Sequence, residues 1–492
     1  MSVRRSAYLS FGSRNAGVAI NFAASVVIAR LLTPQEIGVF AVSAAFVMLS
    51  QVIRDSGIGS YLIQERELTS QRISTAMGVS LLAGSVLGLS ILALAEPLAA
   101  FYGEPGIAEV LLILVFSFVL APVNAIGLAL LRRDLAFGTT FVLETGSNLV
   151  WAAVAVVLAL LGASYHSMAW ASLAATTTTC LMFLLLRREL ILIRPSFRQW
   201  RRVFGFGSLV TLTQLINQLG VLAPALVLGR LSDFGAVAFY SRGNALTKVF
   251  RETVERGAAV VALPAFSAQL RNGGGNRQSF CYATALMTGI AWPFYGVLAI
   301  LAFPIVRILF GPQWDAAVPV VQLLAAAHMI RVPTMLAPQL IIAQGRPRLA
   351  LAREALVQGL RVAIVLICAV HGFLAVAAGQ LVVTLCALIV DFAIVRRIIG
   401  VSGLDMLRAC LPSLGLALSA CIAPLAVTLF YPPMPDRVWL PLAVALAGGL
   451  AGWMAALLVL PHPLRGEWRI LLRFLPSPRI WLPGHRPRVT PS

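Results

Sequence analysis

Two arginines, Arg14 and Arg54, stand inside long apolar stretches at 8–31 and 37–63. A charge facing lipid at such a depth costs between about 3 and more than 10 kcal/mol, so it lines a wet interior or meets a partner. At 100° per residue, Ser10, Arg14, Asn21 and Ser25 fall within about 60° of one another, a narrow polar stripe on an apolar helix. Ser43, Ser50 and Arg54 repeat the spacing of Arg14, Asn21 and Ser25 on the second stretch. The chain holds 37 arginines and one lysine. Depth and stripe geometry, rather than residue type, therefore single these positions out.

Further along, Thr211, Gln214 and Gln218 share a helix face, the uncharged counterpart of the first stripe. Such residues serve as interhelical hydrogen bonds as readily as pore lining. The stretch 235–262 carries Arg242, Lys248, Arg251, Glu252, Glu255 and Arg256. Lys248 with Glu252, Arg251 with Glu255 and Glu252 with Arg256 are i, i+4 pairs, which reads as a salt-bridged ladder. Arg242 has no acid at that spacing and is the stronger site candidate. Among apolar-segment acids, Asp55 adjoins Arg54, and Asp391 lies near the Arg396-Arg397 end, so both read as locally neutralised. Glu144 has no such neighbour; it binds a coupling proton or pairs with an arginine such as Arg14. His328, Arg331, Arg353, Glu354 and Arg361 complete the polar residues of the later spans.

The elements that position these residues follow from composition. Of 492 residues 59% are hydrophobic and 12% charged, with mean hydropathy +0.88, too apolar for a soluble chain of this length. Fourteen helical spans are expected, at 8–31, 37–63, 73–100, 107–131, 136–161, 165–186, 203–229, 235–262, 279–303, 316–343, 349–370, 372–395, 409–430 and 438–460. With the N-terminus inside, the cytoplasmic segments hold 25 arginines, and the opposite side keeps only Arg30, Arg230, Arg307 and Arg437. By the positive-inside rule both termini are cytoplasmic, and the net charge of +19 speaks of topology rather than nucleic acid. Arg14 interrupts the one candidate signal-peptide core, so the first span is expected to stay. Six cysteines lie in spans without a C-x-x-C pair, so neither a disulfide nor a zinc site is indicated; no metal, cofactor or catalytic group is expected.

A repeat divides the chain. Phe206-Gly207-Ser208 echoes Phe11-Gly12-Ser13, Gly229-Arg230-Leu231 echoes Ala29-Arg30-Leu31, and Val332-Pro333 echoes Ala121-Pro122, at offsets from 195 to 211. Six spans followed by six in the same order imply a parallel duplication, which places a substrate between the halves. The expected units are an N-lobe at 1–190, a C-lobe at 191–400, two extra helices at 401–460 and a basic cytoplasmic tail at 461–492. The linker at 187–202 is basic and amphipathic, suited to anionic headgroups or to a plain surface connection. Prolines 97, 122, 224, 293, 304, 333, 338 and 412 are expected to kink helices in or near the spans.

With these residues assembled, the chain resembles the multidrug/oligosaccharidyl-lipid/polysaccharide (MOP) exporter superfamily, specifically its bacterial Wzx-type polysaccharide flippases. The resemblance is carried by A-R-L-L-T-P-Q-E-I-G-V-F (29–40), R-D-S-G-I-G-S-Y-L-I-Q (54–64), A-F-Y-S-R (238–242), L-P-A-F-S (263–267) and L-F-G-P-Q-W-D-A-A-V-P (309–319). It implies an all-α polytopic protein of two pseudo-symmetric six-helix lobes plus two helices, in the bacterial inner membrane. It further implies alternating access that carries an undecaprenyl-diphosphate-linked oligosaccharide to the periplasmic leaflet for O-antigen, capsule or exopolysaccharide export, with a polymerase or export machinery as possible partner. Members line the cavity with cations from helices one, two, seven and eight, which Arg14, Arg54 and Arg242 match; helix seven departs from the pattern, offering Gln214 and Gln218. A guanidinium suits a diphosphate leaving water because its donors are planar, bidentate and permanently charged. The site read from stripe and resemblance together is Arg14, Arg54 and Arg242, with Asn21, Ser50 and Gln218 on sugar or water. Two internal halves suit a functional monomer.

Rival functions differ in what they require. The single lysine, Lys248, follows Leu246-Thr247 and not a glycine, so no Walker A loop drives an ATP pump. A membrane glycosyltransferase or polymerase would carry a D-x-D motif or a large extramembrane loop. A cation-coupled drug exporter would favour cavity-facing acids, for which Asp55, Glu144 and Asp391 are available. A lipid-II flippase shares the mechanism and differs in its headgroup.

Overall fold

The computed structural model describes residues 3–55, 58–65, 67–186, 194–198, 200–431 and 439–467, with backbone alone for 3–15, 55, 60, 64, 137 and 200–210. Every regular element among them is helical. α1 (Val3–Leu31) ends at a short turn, where Thr33 donates from its N–H and its hydroxyl to the Glu36 carboxylate at 2.7 and 2.8 Å. That reciprocal cap, with Pro34 at the first helical position, starts α2 (Pro34–Asp55). α3 (Ile58–Gln64) is closed by Arg133, which donates to the carbonyls of Leu62 and Glu65 at 2.8 and 2.6 Å. α4 (Ser70–Tyr102) stops at Gly103, whose φ of 70° is the left-handed cap that glycine adopts without strain. α5 (Gly106–Leu114) and α6 (Ser117–Arg133) meet at a 43° bend, followed by α7 (Phe137–Leu160) and α8 (His166–Leu186). The bend falls before Ser117, ahead of the expected kink at Pro122, which lies within α6.

The second half runs α9 (Trp200–Leu231), α10 (Phe234–Phe250), a π-helical turn at Arg251–Glu255, α11 (Arg256–Arg271), α12 (Arg277–Ile300) and α13 (Ala302–Phe310). A 3-10 turn at Pro312–Ala317 leads to α14 (Val318–Arg331), then α15 (Ala337–Ala343), α16 (Pro347–Ala369), α17 (Phe373–Ile399), α18 (Gly403–Phe430) and α19 (Trp439–Val459).

Among the described residues ten helices are long and apolar enough to cross a bilayer, or eleven with α5 and α6 as one bent span. Of α1 only Ala16–Leu31 has described side chains; two other expected spans fall short for local reasons, the π turn dividing α10 from α11 and α16 carrying Arg348, Arg353, Glu354 and Arg361. The outer faces are apolar in helical register: Leu82, Val86 and Leu89 on α4, and Leu411, Leu418, Ile422, Leu425 and Leu429 on α18 are exposed. These are the faces of a multi-pass membrane protein. Inside it, contact and hydrogen bonding replace the hydrophobic effect as the force between helices.

In the first half α1 packs on α7, α7 on α8, α8 on α6 and α6 on α4; in the second, α9 packs on α16, α16 on α17, α17 on α14 and α14 on α12. α2 joins the two by packing on both α9 and α10. That contact depends on Gly38: a Cβ there would lie 1.9 Å from the Phe234 carbonyl oxygen. α18 and α19 attach through α12, where Trp453 Nε1 donates to the Gly289 carbonyl at 3.1 Å.

Candidate functional site

The first polar space lies between α2, α6, α7 and α8, a cavity of about 480 Å3 lined by Gln51, Arg54, Asn124, Glu144, Asn148 and Thr179 among others. Its cation is Arg54, 7% exposed, with the guanidinium 5.6 Å from the Phe118 ring centroid. The Phe118 face holds the guanidinium at the cavity wall. Glu144 lies 3.7 Å from Arg132, with both side chains about half exposed. The acid thus has a cationic neighbour in the last turn of α6, while it lines the cavity where Arg54 also stands. Asn21 donates to Asn148 Oδ1 at 3.2 Å and so ties α1 to the cavity wall.

A second cavity, of about 370 Å3, opens between α2, α9 and α16 and is lined by Val52, Thr213, Gln214, Asn217, Gln218 and Glu354. Glu354 accepts from Asn217 at 2.6 Å, from Gln358 at 2.7 Å and from Arg353 at 2.8 Å. Arg353 turns its remaining donors onto both oxygens of Asp391, each at 2.7 Å. The expectation that Asp391 is neutralised at the Arg396-Arg397 end is therefore corrected. Its counter-ion comes from α16, a partner that spacing along α17 cannot reveal. Asp55 lies outside the residues whose side chains are described.

Arg242 lines neither cavity. It is 8% exposed, beneath Trp314 and Phe310, with its guanidinium 5.4 and 5.8 Å from their rings, and it donates to the Ser25 carbonyl at 3.3 Å. Above it the halves are sewn together by backbone-directed bonds. Trp314 and Gln313 both donate to the Ala29 carbonyl at 2.7 Å, and Arg30 Nε donates to Leu309 at 3.0 Å. Gly311, at φ 100°, gives the chain the left-handed turn that brings this segment over α1.

The six sequence-derived residues therefore separate. Arg54 lines the first cavity, Asn21 is held at its edge, Gln218 lines the second, and Arg242 sits under the seal. Ser50 is half-buried on α2 and lines neither; Arg14 is on α1, but its side chain lies outside the described residues. The ladder is divided too. Glu252 pairs with Arg256, whereas the π turn moves Arg251 toward Asn244 Oδ1 at 3.5 Å, and Glu255 accepts the Tyr295 hydroxyl at 3.0 Å. A π turn breaks the i, i+4 register on which the ladder was read. Asn217, which lines the second cavity and donates to Glu354, is visible in the sequence only as a polar residue inside an apolar stretch. Among the described residues no cluster of three His, Cys, Asp or Glu could hold a metal ion.

This bundle of apolar helices around buried arginines and polar cavities is a fold shared with solved membrane proteins. The lipid II flippase MurJ in an inward closed conformation superposes with TM-score 0.74 at 13% identity, over 95% of this chain and 99% of that one. An inward-facing multidrug resistance MATE transporter of the MOP superfamily follows at TM-score 0.58 and 18% identity, over 81% and 95%. Residues 27–319 match the family described as "Polysaccharide biosynthesis protein", and the chain belongs to that family. It is 28% identical to the succinoglycan biosynthesis transport protein ExoT of Rhizobium meliloti, over 68% of this chain and 67% of that protein. It is 23% identical to the teichuronic acid biosynthesis protein TuaB of Bacillus subtilis (62% and 63%) and to the lipopolysaccharide biosynthesis protein WzxC of Escherichia coli (62% and 62%). The chain thus aligns with about two thirds of the length of these relatives.

Proposed function

We propose that this protein flips undecaprenyl-diphosphate-linked oligosaccharide units from the cytoplasmic to the periplasmic leaflet of a bacterial inner membrane, by alternating access, for polysaccharide export. The observation that carries the reading is Arg54: a buried guanidinium, aromatic-backed and facing a polar cavity, in a chain whose family and named relatives serve polysaccharide assembly. The architecture proposed is fourteen spans in two six-helix lobes, 1–190 and 191–400, plus two helices at 401–460, with both termini cytoplasmic. It is supported by matching packing, α7 on α1 and α8 in the first half and α16 on α9 and α17 in the second. Arg14, Arg54 and Arg242 serve the diphosphate in turn as the cavity opens to one side and then the other, with Asn21, Ser50 and Gln218 on sugar or water. The work is transport rather than catalysis, by a monomer, and the product passes to a polymerase or export machinery.

The test is flipping of a fluorescent undecaprenyl-diphosphate oligosaccharide in proteoliposomes, for wild type and for Arg14→Ala, Arg54→Ala and Arg242→Ala, each checked for folding. Flipping that fails in folded variants supports the path. Wild-type efflux of organic cations with no flipping under any ion gradient would replace it with the drug-exporter reading, for which Glu144 on the first cavity is the available acid.

A further inference from the structure

The second cavity is organised around one carboxylate. Glu354 on α16 accepts at Oε1 from Asn217 Nδ2 at 2.6 Å and from Gln358 Nε2 at 2.7 Å, and at Oε2 from Arg353 at 2.8 Å. Arg361 donates to Gln358 Oε1 at 2.9 Å, which turns that amide so that its nitrogen faces the carboxylate. α16 lies close enough to α9 for this because residue 220 is glycine: a Cβ there would stand 2.0 Å from Gln358 Oε1. Gln358 and Arg353 are both buried. Glu354 is therefore held in one orientation by buried neighbours while it lines an open space of about 370 Å3.

Two more side chains line that space and are not used by the packing. Gln214 and Gln218, one turn apart on α9, make no hydrogen bond among the described residues. Polar residues that join membrane helices would be spent on such bonds. A side-chain amide offers a donor and an acceptor, as a hydroxyl does, so two amides beside a fixed carboxylate match a row of sugar hydroxyls. Charge separates the two cavities. The one ionised group lining the second is Glu354, which repels a phosphate, whereas Arg54 lines the first. A metal ion is not suited either, because Asn217 and Gln358 turn N–H donors toward Glu354 where a hard cation would take oxygens. α2 is the wall common to both spaces, with Arg54 on one side and Val52, about 3 Å along the axis, on the other. A diphosphate and its sugars are thus served at one depth of one helix.

We infer that the second cavity is a saccharide subsite, in which Gln214, Gln218 and Glu354 bind hydroxyls of the sugars beyond the one bonded to the diphosphate. This rests on the function proposed above and names the part of the substrate that sets selectivity. Glu354 Oε2 has one protein donor and so keeps a lone pair for a hydroxyl. Asn217, Gln358 and Arg353 are positioning residues that aim the carboxylate. The volume is at the small end of the ~300–1,000 Å3 range of ligand pockets, which gives room for part of a saccharide and not for a long chain.

The experiment compares two fluorescent undecaprenyl-diphosphate lipids, one carrying a single glucose and the other a neutral hexose oligosaccharide, in proteoliposomes of the full chain. Wild type is expected to flip the oligosaccharide lipid faster. Gln214→Ala with Gln218→Ala should lower the oligosaccharide-to-monosaccharide rate ratio roughly tenfold, the scale of two lost hydrogen bonds between neutral groups. Gln214→Asn with Gln218→Asn, which keeps both amides, should retain more of the ratio and guards against misfolding of the alanine pair. Equal wild-type rates for the two lipids would overturn the inference while leaving flipping intact. A ratio unchanged in the folded alanine variant, or an equal loss on both lipids, would also overturn it, the second outcome in favour of a contact with the diphosphate or the first sugar. Flipping of neither lipid by wild type would remove the function reading and this inference with it.

Discussion

Arg353 and Asp391 close a two-pronged ion pair between α16 and α17, both bonds 2.7 Å long and the two side chains 5% and 1% exposed. Removing one partner of such a pair strands a buried charge, at a cost of about 3–5 kcal/mol. Asp391→Ala and Arg353→Ala are each expected to lower the thermal unfolding midpoint of the purified protein sharply. Arg353→Met with Asp391→Leu should recover most of the loss, since apolar packing replaces both charges at once. Single variants that unfold at the wild-type midpoint would mean the pair is solvated.

The Glu144–Arg132 contact calls for the opposite expectation. At 3.7 Å, with 52% of the arginine and 41% of the acid side chain exposed, the pair contributes about 0–1 kcal/mol. Glu144→Gln should leave thermal stability nearly unchanged. If Glu144 takes the coupling proton, the variant's flipping will no longer respond to an imposed pH gradient. Gradient-dependent flipping in Glu144→Gln would assign the residue to the surface pair alone.

The seal above Arg242 depends on Trp314, which is fully buried and donates to the Ala29 carbonyl. Trp314→Ala removes that bond and the ring under which Arg242 lies, at a cost of about 3–5 kcal/mol for the truncation. The halves should then part more readily at this end. In a background lacking the native cysteines, Ala29→Cys should react slowly with a membrane-impermeant thiol reagent and markedly faster once Trp314→Ala is added. Equal labelling in both would show that Gly38 and its neighbours hold the closure without the tryptophan.

What the sequence made legible is set by the range of the signal. Apolar runs of span length identify most of the helices, because each run is a local property. The narrow stripe through Asn21 predicts a polar face on α1, and that face meets Asn148. Stripe geometry gives the direction a helix presents but not the helix it meets. Arg54 and Arg242 therefore read as one site, yet they lie in separate settings. Asp391 shows the same limit, since its arginine is 38 residues away on another helix. The π turn at Arg251–Glu255 was invisible for a different reason: an extra residue in one helical turn changes which side chains align without changing composition.

His462, just beyond α19, yields a pH dependence whose sign follows from its bonds. It is 4% exposed against Gly289; Nδ1 accepts from the Leu464 N–H at 3.1 Å, so a neutral ring carries its proton on Nε2, 3.0 Å from Ser413 Oγ. Ser413 in turn lies 2.8 Å from Thr288 Oγ1, which extends the chain of bonds from α18 to α12. Protonating Nδ1 would set two donors against each other, and burial already holds the imidazole below its ordinary pKa of 6.5. Below pH 6.5 the unfolded chain takes up a proton that the folded chain refuses. Stability from this site is therefore complete above about pH 6.5 and declines as the pH falls toward the depressed folded value. His462→Gln, which keeps an acceptor and a donor but does not titrate, should flatten that part of the profile in thermal unfolding measured between pH 5 and pH 8, a window that brackets an ordinary histidine pKa of about 6.5. An identical slope in wild type and variant would place the acid sensitivity in another group.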